Sequence, residues 1–351
     1  MVTGYSVTFF MKKKFLTLLI LLCGAVTAIG LLFLLATKIG VPKNGFERRI
    51  IVQALTKRDS IALPGVWYYA GRAGTKLFLG KRGESRIIQL DEQNKVSEVA
   101  LNVPNKKFKI HIDSPTIFFE QYGYDRMYVG EFPANKITDT LSTGLPLIDV
   151  EPLSKTSLAA LTFMSPDEAF VLGKKTVYGV SYFSGLLKKQ VDGQFCTDGM
   201  LKYNKEHSRL FYVYYYRNEF LCLDTSMNLQ YVAHTIDTTS RAKITVSNIH
   251  SEHAATLSSP ARVVNNKVHT SGDLLFVYSN LEADNELRSV FLSNMAIDAY
   301  TIRDGQYAFS FYIPMPERQK AVEFFVVDKL LYVLVRDRII TYDITINLAY
   351  P

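Results

Sequence analysis

Tryptophan and cysteine are scarce in this 351-residue sequence, which contains one Trp and three Cys. Three cysteines cannot build a disulfide scaffold, and a chain of this length buries a sizeable core without one. The 20 Gly and 12 Pro follow no period, which excludes collagen-like and linker-dominated chains. Charged residues make up 21% and aromatic residues 13% of the chain, so its composition is not that of a disordered protein.

The sequence also lacks a concentrated positive charge, although its formal net charge is +7. Residues 1–37 hold three lysines and no acidic residue, so only +4 remains for the other 314 residues. A polyphosphate ligand needs a basic patch or stripe rather than diluted charge. We therefore expect no nucleic-acid partner.

One long apolar run lies near the N-terminus. The 23 residues from Phe15 to Thr37 carry no charge, and as a helix they would span about 35 Å, enough for a hydrocarbon core of ~30 Å. The preceding Lys12-Lys13-Lys14 is typical of a signal anchor. We expect a single-pass inner-membrane helix with the large domain in the periplasm, and translation starting at Met11. Cleavage after the small residues Val26-Thr27-Ala28 is the alternative.

The remaining three hundred residues show the pattern of repeated β-hairpins. Short alternating or aromatic-rich runs are separated by Gly, Asn, Asp and Pro turns. The clearest group comprises Gly199–Tyr203, Leu210–Tyr216, Glu219–Leu223 and Leu229–His234. No window shows a capped 3.6-residue period.

This four-strand pattern recurs along the chain. The second strands of successive groups are predicted near Leu77, Met127, Ala169, Leu210, Leu274 and Leu330, at intervals of 41 to 64 residues. Four strands in such a period are typical of a β-propeller. We predict an all-β protein, a β-propeller of six blades preceded by one transmembrane helix. The 64-residue interval leaves room for a partial seventh blade, and a long β-sandwich is the structural alternative.

Three segments resemble a known family. They are Asp198–Tyr203, Val213–Phe220 and Ile236–Lys243. The sequence is similar to TolB-like six-bladed propeller proteins, particularly membrane-anchored ones of Bacteroidetes bacteria, over most of residues 45–345. The resemblance implies a propeller fold and an envelope location. It implies no particular activity, and no catalytic residue is carried over from it.

Motifs that would indicate an enzyme are missing. The sequence has no nucleophile elbow, phosphate-binding loop or dinucleotide fingerprint. His250-Ser251-Glu252-His253 places two histidines three residues apart in a loop-like stretch, whereas zinc proteases use a spacing of four on a helix. Cys196 and Cys222 are expected on strands that are not neighbours, beyond disulfide reach, so we expect two buried thiols.

Turns are the best candidates for a binding site. In a propeller, the turn between the second and third strands lies on the same face as the links between blades. The candidate ligand-binding residues at this rim are Tyr124, Asp125, Arg126, Arg217, Asn218, Glu219, Glu252, His253, Asp284 and Glu286. We predict no cofactor; a channel-bound divalent cation such as Ca²⁺, which takes six to eight oxygen ligands, stays open as the alternative.

The predicted organisation has four parts: a cytoplasmic tail at 1–14, a transmembrane helix at 15–37, a tether at 38–47 and a propeller at 48–351. The predicted function is non-catalytic: one propeller face binds a protein, peptide or envelope component. The alternative is a metal-dependent hydrolase or lactonase, with Asp284, Glu286, Glu219 and His253 as its first candidates at the channel.

Overall fold

The structure of the protein is a computed structural model. It describes residues 4–38, 43–101, 103, 107–121, 123–164, 169–191, 194–249, 254–315 and 321–346. The chain divides into two compact bodies, and the boundary lies between Lys43 and Asn44. The first body contains the helix α1 (Gly4–Lys38), and the second is built almost entirely of strands.

Helix α1 is long and apolar enough to cross a membrane. Its segment Lys14–Leu32 has a mean hydropathy of 2.6, and none of that segment is buried by the rest of the protein. The helix has no acidic residue in its first turn, and the hydroxyl of Thr27 donates back to the carbonyl of Cys23 at 2.7 Å. This apolar helix is consistent with a membrane anchor, and a signal sequence has the same properties.

The second body consists of four-stranded antiparallel meanders, which we number in chain order. Meander 1 contains β2 (Trp67–Ala73), β3 (Lys76–Lys81), β4 (Ile87–Leu90) and β5 (Val96–Val99). Meander 2 contains β6 (Lys109–Asp113), β7 (Thr116–Glu120), β8 (Arg126–Glu131) and β9 (Lys136–Ser142). Meander 3 contains β10 (Asp149–Ser154), β11 (Ser157–Thr162), β12 (Val171–Thr176) and β13 (Gly179–Phe183).

The later part of the chain continues the pattern. Meander 4 contains β14 (Gly199–Asn204), β15 (Arg209–Tyr214), β16 (Glu219–Asp224) and β17 (Leu229–His234). Meander 5 contains β20 (Asn265–Ser271), β21 (Leu274–Ser279), β22 (Asn294–Thr301) and β23 (Tyr307–Pro314). Meander 6 contains β24 (Glu323–Val327), β25 (Leu330–Leu334), β26 (Arg338–Ile344) and the N-terminal strand β1 (Leu55–Ala62).

In meanders 1, 2 and 4, burial distinguishes the inner strands from the outer one, whereas the outer strand β23 of meander 5 is mostly buried. All five residues of β7 are buried, as are most residues of β15, β16, β21 and β25. The fourth strands β5, β9 and β17 are mostly exposed. Strands buried on both faces are apolar along their whole length, which explains the continuous aromatic run of β15.

The meanders follow one another around a closed ring. β2 and β6 pair in parallel at Gly71–Ile112 and Arg72–Asp113. Apolar clusters fill the spaces between meanders 1 and 2, 2 and 3, 3 and 4, 4 and 5, 5 and 6, and 6 and 1. Each sheet is therefore covered on both faces by its neighbours, the arrangement of a β-propeller.

The N-terminal segment of the second body completes the ring. β1 pairs antiparallel with β26 and supplies the fourth strand of meander 6. Just before it, Ile50 forms a parallel bridge with Ser310 of β23. The chain from Asn44 onward is therefore bound to meander 5 first and to meander 6 next.

The structure corrects several details of the strand prediction. Met127 lies in β8, a third strand, and Ala169 lies before β12, so the second strands of meanders 2 and 3 are β7 and β11. β7 and β8 are both continuous apolar runs, which makes their order ambiguous in the sequence. The 64-residue interval, which left room for a partial seventh blade, holds a two-stranded hairpin of β18 (Val246–Ile249) and β19 (Ala254–Leu257).

The described residues of the second body also form two short helical elements. A 3-10 turn, Phe195–Thr197, precedes β14, and α2 (Arg288–Ser293) precedes β22. Cys196 therefore lies in the 3-10 turn rather than on a first strand. As expected, Cys196 and Cys222 are both buried, and no disulfide joins them.

Candidate functional site

The predicted rim residues that the structure describes lie in or beside turns between second and third strands. Tyr124 and Asp125 lie between β7 and β8, and Arg126 is the first residue of β8. Tyr124 is 54% exposed, and Asp125 accepts hydrogen bonds from Arg126 at 2.9 Å and from the hydroxyl of Ser142 at 2.9 Å. The hydrogen bond from Arg126 lowers the pKa of the Asp125 carboxyl. This turn is polar and accessible, but its charges are paired with each other.

Arg217 is an internal side chain rather than a surface ligand. It is 1% exposed, and its guanidinium lies 3.5 Å from the centroid of the Tyr214 ring. It donates to the carbonyl oxygens of Lys188 and Cys196 at 3.1 and 3.0 Å and to Glu219 at 2.9 Å. The residue therefore fixes the loop before β14 against the turn between β15 and β16.

Asn218, the next residue of that turn, is also occupied by internal bonds. Its side chain is buried and donates to the carbonyl of Asp237. Its own carbonyl accepts a hydrogen bond from the amide of Thr235 at 3.0 Å. The segment Arg217-Asn218-Glu219 thus stabilises the loop that follows β17.

Asp284 and Glu286 bind the N-terminal segment of the same body. The carboxylate of Asp284 accepts hydrogen bonds from the backbone amides of Asn44 and Gly45 at 2.7 and 3.0 Å. Glu286 forms an ion pair with Arg48 at 2.6 Å and accepts a hydrogen bond from Tyr312. The Glu286 side chain is only 1% exposed, so it cannot contact a ligand in this arrangement.

Glu252 and His253, the remaining candidates, lie outside the described residues. Across the part of the chain that the structure describes, no group of three or more His, Cys, Asp or Glu side chains is arranged to hold a metal ion.

A cavity opens at the end of the propeller opposite to the predicted rim. Its volume is about 1280 Å³, and the innermost strands β2, β6, β10, β14, β20 and β24 all contribute to its wall. Residues at the ends of these strands and in the turns after them line it, among them Arg72, Asp113, Lys205, Asp273 and Asp328. The first strands of all meanders run in the same direction, so these turns lie on the face away from the predicted rim.

Ion pairs surround the mouth of this cavity. Lys205 of meander 4 reaches Asp113 of meander 2 at 2.6 Å, and Arg72 of meander 1 pairs with Asp328 of meander 6 at 3.1 Å. All four side chains are about half exposed or more. Exposed pairs of this kind contribute little to stability, so they can exchange for a ligand at small cost.

The cavity wall also holds neutral and aromatic side chains. His269 is buried and lies within hydrogen-bonding distance of the carbonyl of Val326, at 3.1 Å. Desolvation, with the nearby Lys202 acting in the same direction, lowers the pKa of His269 to about 3, so this ring is neutral at pH 7. Tyr69 lines the cavity and stacks on the buried ring of Phe325 behind it, with 4.2 Å between ring centroids.

Ion pairs also involve residues in the first halves and the middles of the innermost strands. Lys109, the first residue of β6, contacts Glu120 at 3.2 Å and Asp149 of β10 at 4.0 Å. Lys202 of β14 pairs with Glu151 of β10 at 2.7 Å, and both residues also line the cavity. Desolvation opposes the charge of Glu120, but Lys109 and a 2.8 Å hydrogen bond from His111 outweigh it and hold the pKa at about 2.

Sequence reasoning missed these channel residues. The signal was present in the polar residues of the innermost strands, for example in Lys109-Ile110-His111-Ile112-Asp113, where polar and apolar residues alternate. Such alternation indicates that one side of the strand meets water, and in an innermost strand that water is in the channel.

Comparisons with known proteins give a fold but no family. No protein-family model matches the sequence, and no curated protein matches it significantly. Among solved structures, a member of the DUF4221 family from Bacteroides vulgatus is similar, with a TM-score of 0.53 and 11% identity over 84% of this chain and 98% of that chain.

Two further solved structures are less similar. A virginiamycin B lyase from Staphylococcus aureus has a TM-score of 0.46 and 11% identity over 81% of this chain and 99% of that chain. BamB from Moraxella catarrhalis has a TM-score of 0.41 and 12% identity over 84% of this chain and 99% of that chain. The similarity to solved structures supports the β-propeller fold and nothing finer.

Proposed function

We propose that this protein is a membrane-anchored binding protein of the bacterial envelope, and that its propeller, with the six meanders as six blades, holds a ligand in the channel. The observation that carries the proposal is the cavity of about 1280 Å³ to which every innermost strand contributes. Ligand sites in proteins commonly measure about 300–1,000 Å³, so the space is sufficient for a small molecule or a peptide segment.

The choice of the cavity mouth over the predicted rim follows from hydrogen bonding. At the rim, the Arg217 and Glu286 side chains are 1% exposed and already bonded within the protein. At the mouth, Lys205 and Asp113 are 70% and 49% exposed. A ligand binds where polar groups are accessible and can exchange partners, and this condition is met at the mouth.

The proposed location follows from α1 and the residues before it. The apolar segment Lys14–Leu32 follows Lys12 and Lys13, and a short positively charged N-terminal tail stays in the cytoplasm. We therefore propose a single-pass protein of the inner membrane with its propeller in the periplasm. Carbonate washing should leave the protein in the membrane fraction, and protease added to spheroplasts should degrade the propeller. Release by carbonate, or full protection from protease, would contradict this location.

Ligand capture tests the function. Full-length protein in detergent micelles is incubated with an envelope extract, washed, and its bound small molecules and peptides are identified by mass spectrometry. The variant Ser271→Trp fills the cavity that Ser271 lines and should lose the captured molecule, whereas Lys136→Trp on the exposed outer strand β9 should retain it. Equal capture by both variants, or none by the unchanged protein, would refute the proposed function.

A further inference from the structure

The rim face of the second body carries exposed cations over meanders 3, 4 and 5. Each of these meanders has four antiparallel strands, so the loops that join consecutive meanders lie on the same face as the turns between second and third strands. Exposed basic residues occupy two such loops and the short helix α2 between β21 and β22: Lys188, Lys189, Arg241, Lys243, Arg262 and Arg288. We call these residues the basic rim surface.

Hydrogen bonds join the segments that carry the basic rim surface. The side chain of Gln190 donates to the carbonyl of Ser240 at 2.9 Å, which connects the loop before meander 4 to the loop after it. Arg262 donates to the side-chain oxygen of Asn44 at 2.7 Å, and the side chain of Asn44 donates to the carbonyl of Glu282 at 2.7 Å. The cations therefore belong to one continuous surface, although they come from separate parts of the sequence.

Acidic side chains in these segments do not neutralise the surface. Asp284 and Glu286 are bonded to the N-terminal segment of the second body. Glu282 pairs with Arg288 at 2.9 Å, but it is only 17% exposed, whereas Arg288 is 64% exposed. Among the described residues of these segments, Glu47 is the only exposed acidic residue. The surface is therefore positive toward solvent and favours an anionic partner.

Exposed apolar side chains lie within the same surface. Leu287, just before α2, and Leu292 within it are 72% and 68% exposed, and Val191, close to Lys189, is 49% exposed. No residue of α2 is buried. Cations interspersed with exposed leucines are typical of segments that lie in a membrane interface, where the apolar side chains enter the boundary between headgroups and acyl chains.

The length of the chain limits how far the basic rim surface can lie from a membrane. The uncharged run ends at Thr37, and Asn44, which is bonded to Arg262 and Glu282, follows soon after it. A fully extended chain covers at most about 3.6 Å per residue, so the span from Thr37 to Asn44 cannot exceed about 25 Å. A membrane that contains the apolar run is therefore the anionic surface nearest to these cations.

We propose that the basic rim surface binds the anionic phospholipid headgroups of the membrane that holds α1, with Leu287 and Leu292 entering the interface. This assignment rests on the proposed membrane location and adds an orientation to it. Because the cavity opens at the opposite end of the propeller, its mouth then faces away from the membrane. Its ligand enters from the aqueous compartment rather than from the lipid.

Lipid quenching of a fluorescent label tests this contact. Full-length protein carrying Leu292→Cys, with the exposed native thiol removed by Cys23→Ala, is labelled with bimane. It is reconstituted into phosphatidylcholine vesicles that contain a lipid with a nitroxide headgroup, with or without phosphatidylglycerol. Quenching of the label should be strong with phosphatidylglycerol and weak without it. A control label at Val177→Cys, a site that is 65% exposed in the turn between β12 and β13 on the opposite face, should show weak quenching in both.

A charge-reversal pair connects the contact to the cations. Lys189→Glu with Arg241→Glu should remove the extra quenching that phosphatidylglycerol causes, since each cation near an anionic surface strengthens association about fivefold. Lys76→Glu with Lys95→Glu makes the same change of net charge at exposed residues of the opposite face and should keep the extra quenching. Salt at about 1 M, where the Debye length is about 3 Å, should remove it from the protein with unchanged charge.

The outcomes separate this contact from the proposed function. Equal quenching at position 292 with and without phosphatidylglycerol would refute the contact, because the connection to the anchor alone would then keep the rim near the lipid. No quenching in either kind of vesicle would refute it as well and leave the surface to an acidic protein. Loss of the protein from the vesicles would refute the anchor and the contact together. Ligand capture that is sensitive to Ser271→Trp does not depend on how the propeller lies on the membrane, so it tests the cavity function separately.

Discussion

Single residues in this propeller stabilise contacts between segments that are distant in the sequence. Arg48 is the clearest example: its guanidinium lies 2.7 Å from Asp298 and 2.6 Å from Glu286, and its side chain has no exposed surface. Ser310 donates a further hydrogen bond to Asp298 at 2.5 Å. Removing one partner of such a buried network leaves charges that water cannot reach.

Replacement of Arg48 should therefore be strongly destabilising. We expect Arg48→Met to lower the free energy of unfolding by about 3–5 kcal/mol, because Asp298 and Glu286 remain buried without their cation. Arg49→Met, a change at the neighbouring exposed side chain, should alter it by less than about 0.5 kcal/mol. Urea unfolding of a protein comprising residues 44–351 measures both, and similar values for the two variants would contradict the role of Arg48.

The buried carboxylate of Glu120 makes stability depend on pH. Its pKa is about 2 in the folded protein and about 4.3 in an unfolded chain, so the ionised form stabilises the fold by roughly 3 kcal/mol at pH 7. Because the folded pKa is the lower one, this contribution is present above about pH 4.3 and is lost as the pH falls toward 2.

Glu120→Gln tests this dependence. The difference in unfolding free energy between the unchanged protein and the variant should fall by about half between pH 7 and pH 3. Glu84→Gln, at a carboxylate that is 48% exposed, serves as the control and should show a small difference at both pH values. A difference for Glu120→Gln that is independent of pH would mean that the carboxylate is not held in its ionised form by Lys109 and His111.

At the scale of elements, meanders 1 and 2 are joined by close contact between their innermost strands. β2 and β6 pair directly, and Gly71 lies at this junction with a φ of +134°. A Cβ added to Gly71 would lie 2.0 Å from the carbonyl oxygen of Ile112. Only glycine satisfies both the backbone angle and the close approach of the two strands.

Gly71→Ala should open this junction. We expect a loss of about 3 kcal/mol or more in unfolding free energy, because the strands must separate or the backbone must change conformation. Gly185→Ala, where a Cβ meets nothing within 4 Å, should be neutral within about 0.5 kcal/mol. Thermal denaturation followed by circular dichroism compares them, and equal transition temperatures would contradict the proposed constraint.

At the scale of the whole molecule, the ring is completed by joining the two ends of the second body. β1 supplies the fourth strand of meander 6 and pairs with β26, almost three hundred residues later. Residues 44–48 are bound to the loop of Asp284 and Glu286 before β1 begins. Loss of β1 would expose the edge of β26, and an unpaired edge invites aggregation.

Two truncations test this dependence. A protein comprising residues 44–351 keeps every strand of the second body and should unfold cooperatively in urea. A protein comprising residues 63–351 lacks β1 and the Arg48 network, and we expect it to aggregate or to unfold without a cooperative transition. Cooperative unfolding of the shorter protein at the same urea concentration would show that ring completion is unimportant.

The sequence by itself determined the features that depend on neighbouring residues. The uncharged run from Phe15 to Thr37 predicts an apolar helix because hydropathy is a local property, and the structure has a helix there. The alternating runs between turn residues predict strands for the same reason, and four of them per repeat predict the propeller. Of the four strands predicted in the clearest group, Leu229–His234 was confirmed at both ends, and the starts at Gly199 and Glu219 were confirmed too.

Tertiary structure decided which side chains meet. Arg48 pairs with Asp298 across 250 positions, and Lys205 of meander 4 pairs with Asp113 of meander 2, so no local pattern contains either arrangement. The burial of Arg217 and Glu286, two of the predicted rim residues, depends on loops that the sequence cannot position. The scarcity of cysteine had excluded a disulfide scaffold. The fold is stabilised instead by apolar packing between all neighbouring sheets. The packing of meander 6 on meander 1 exists only when the ring is closed, because these two sheets come from opposite ends of the second body.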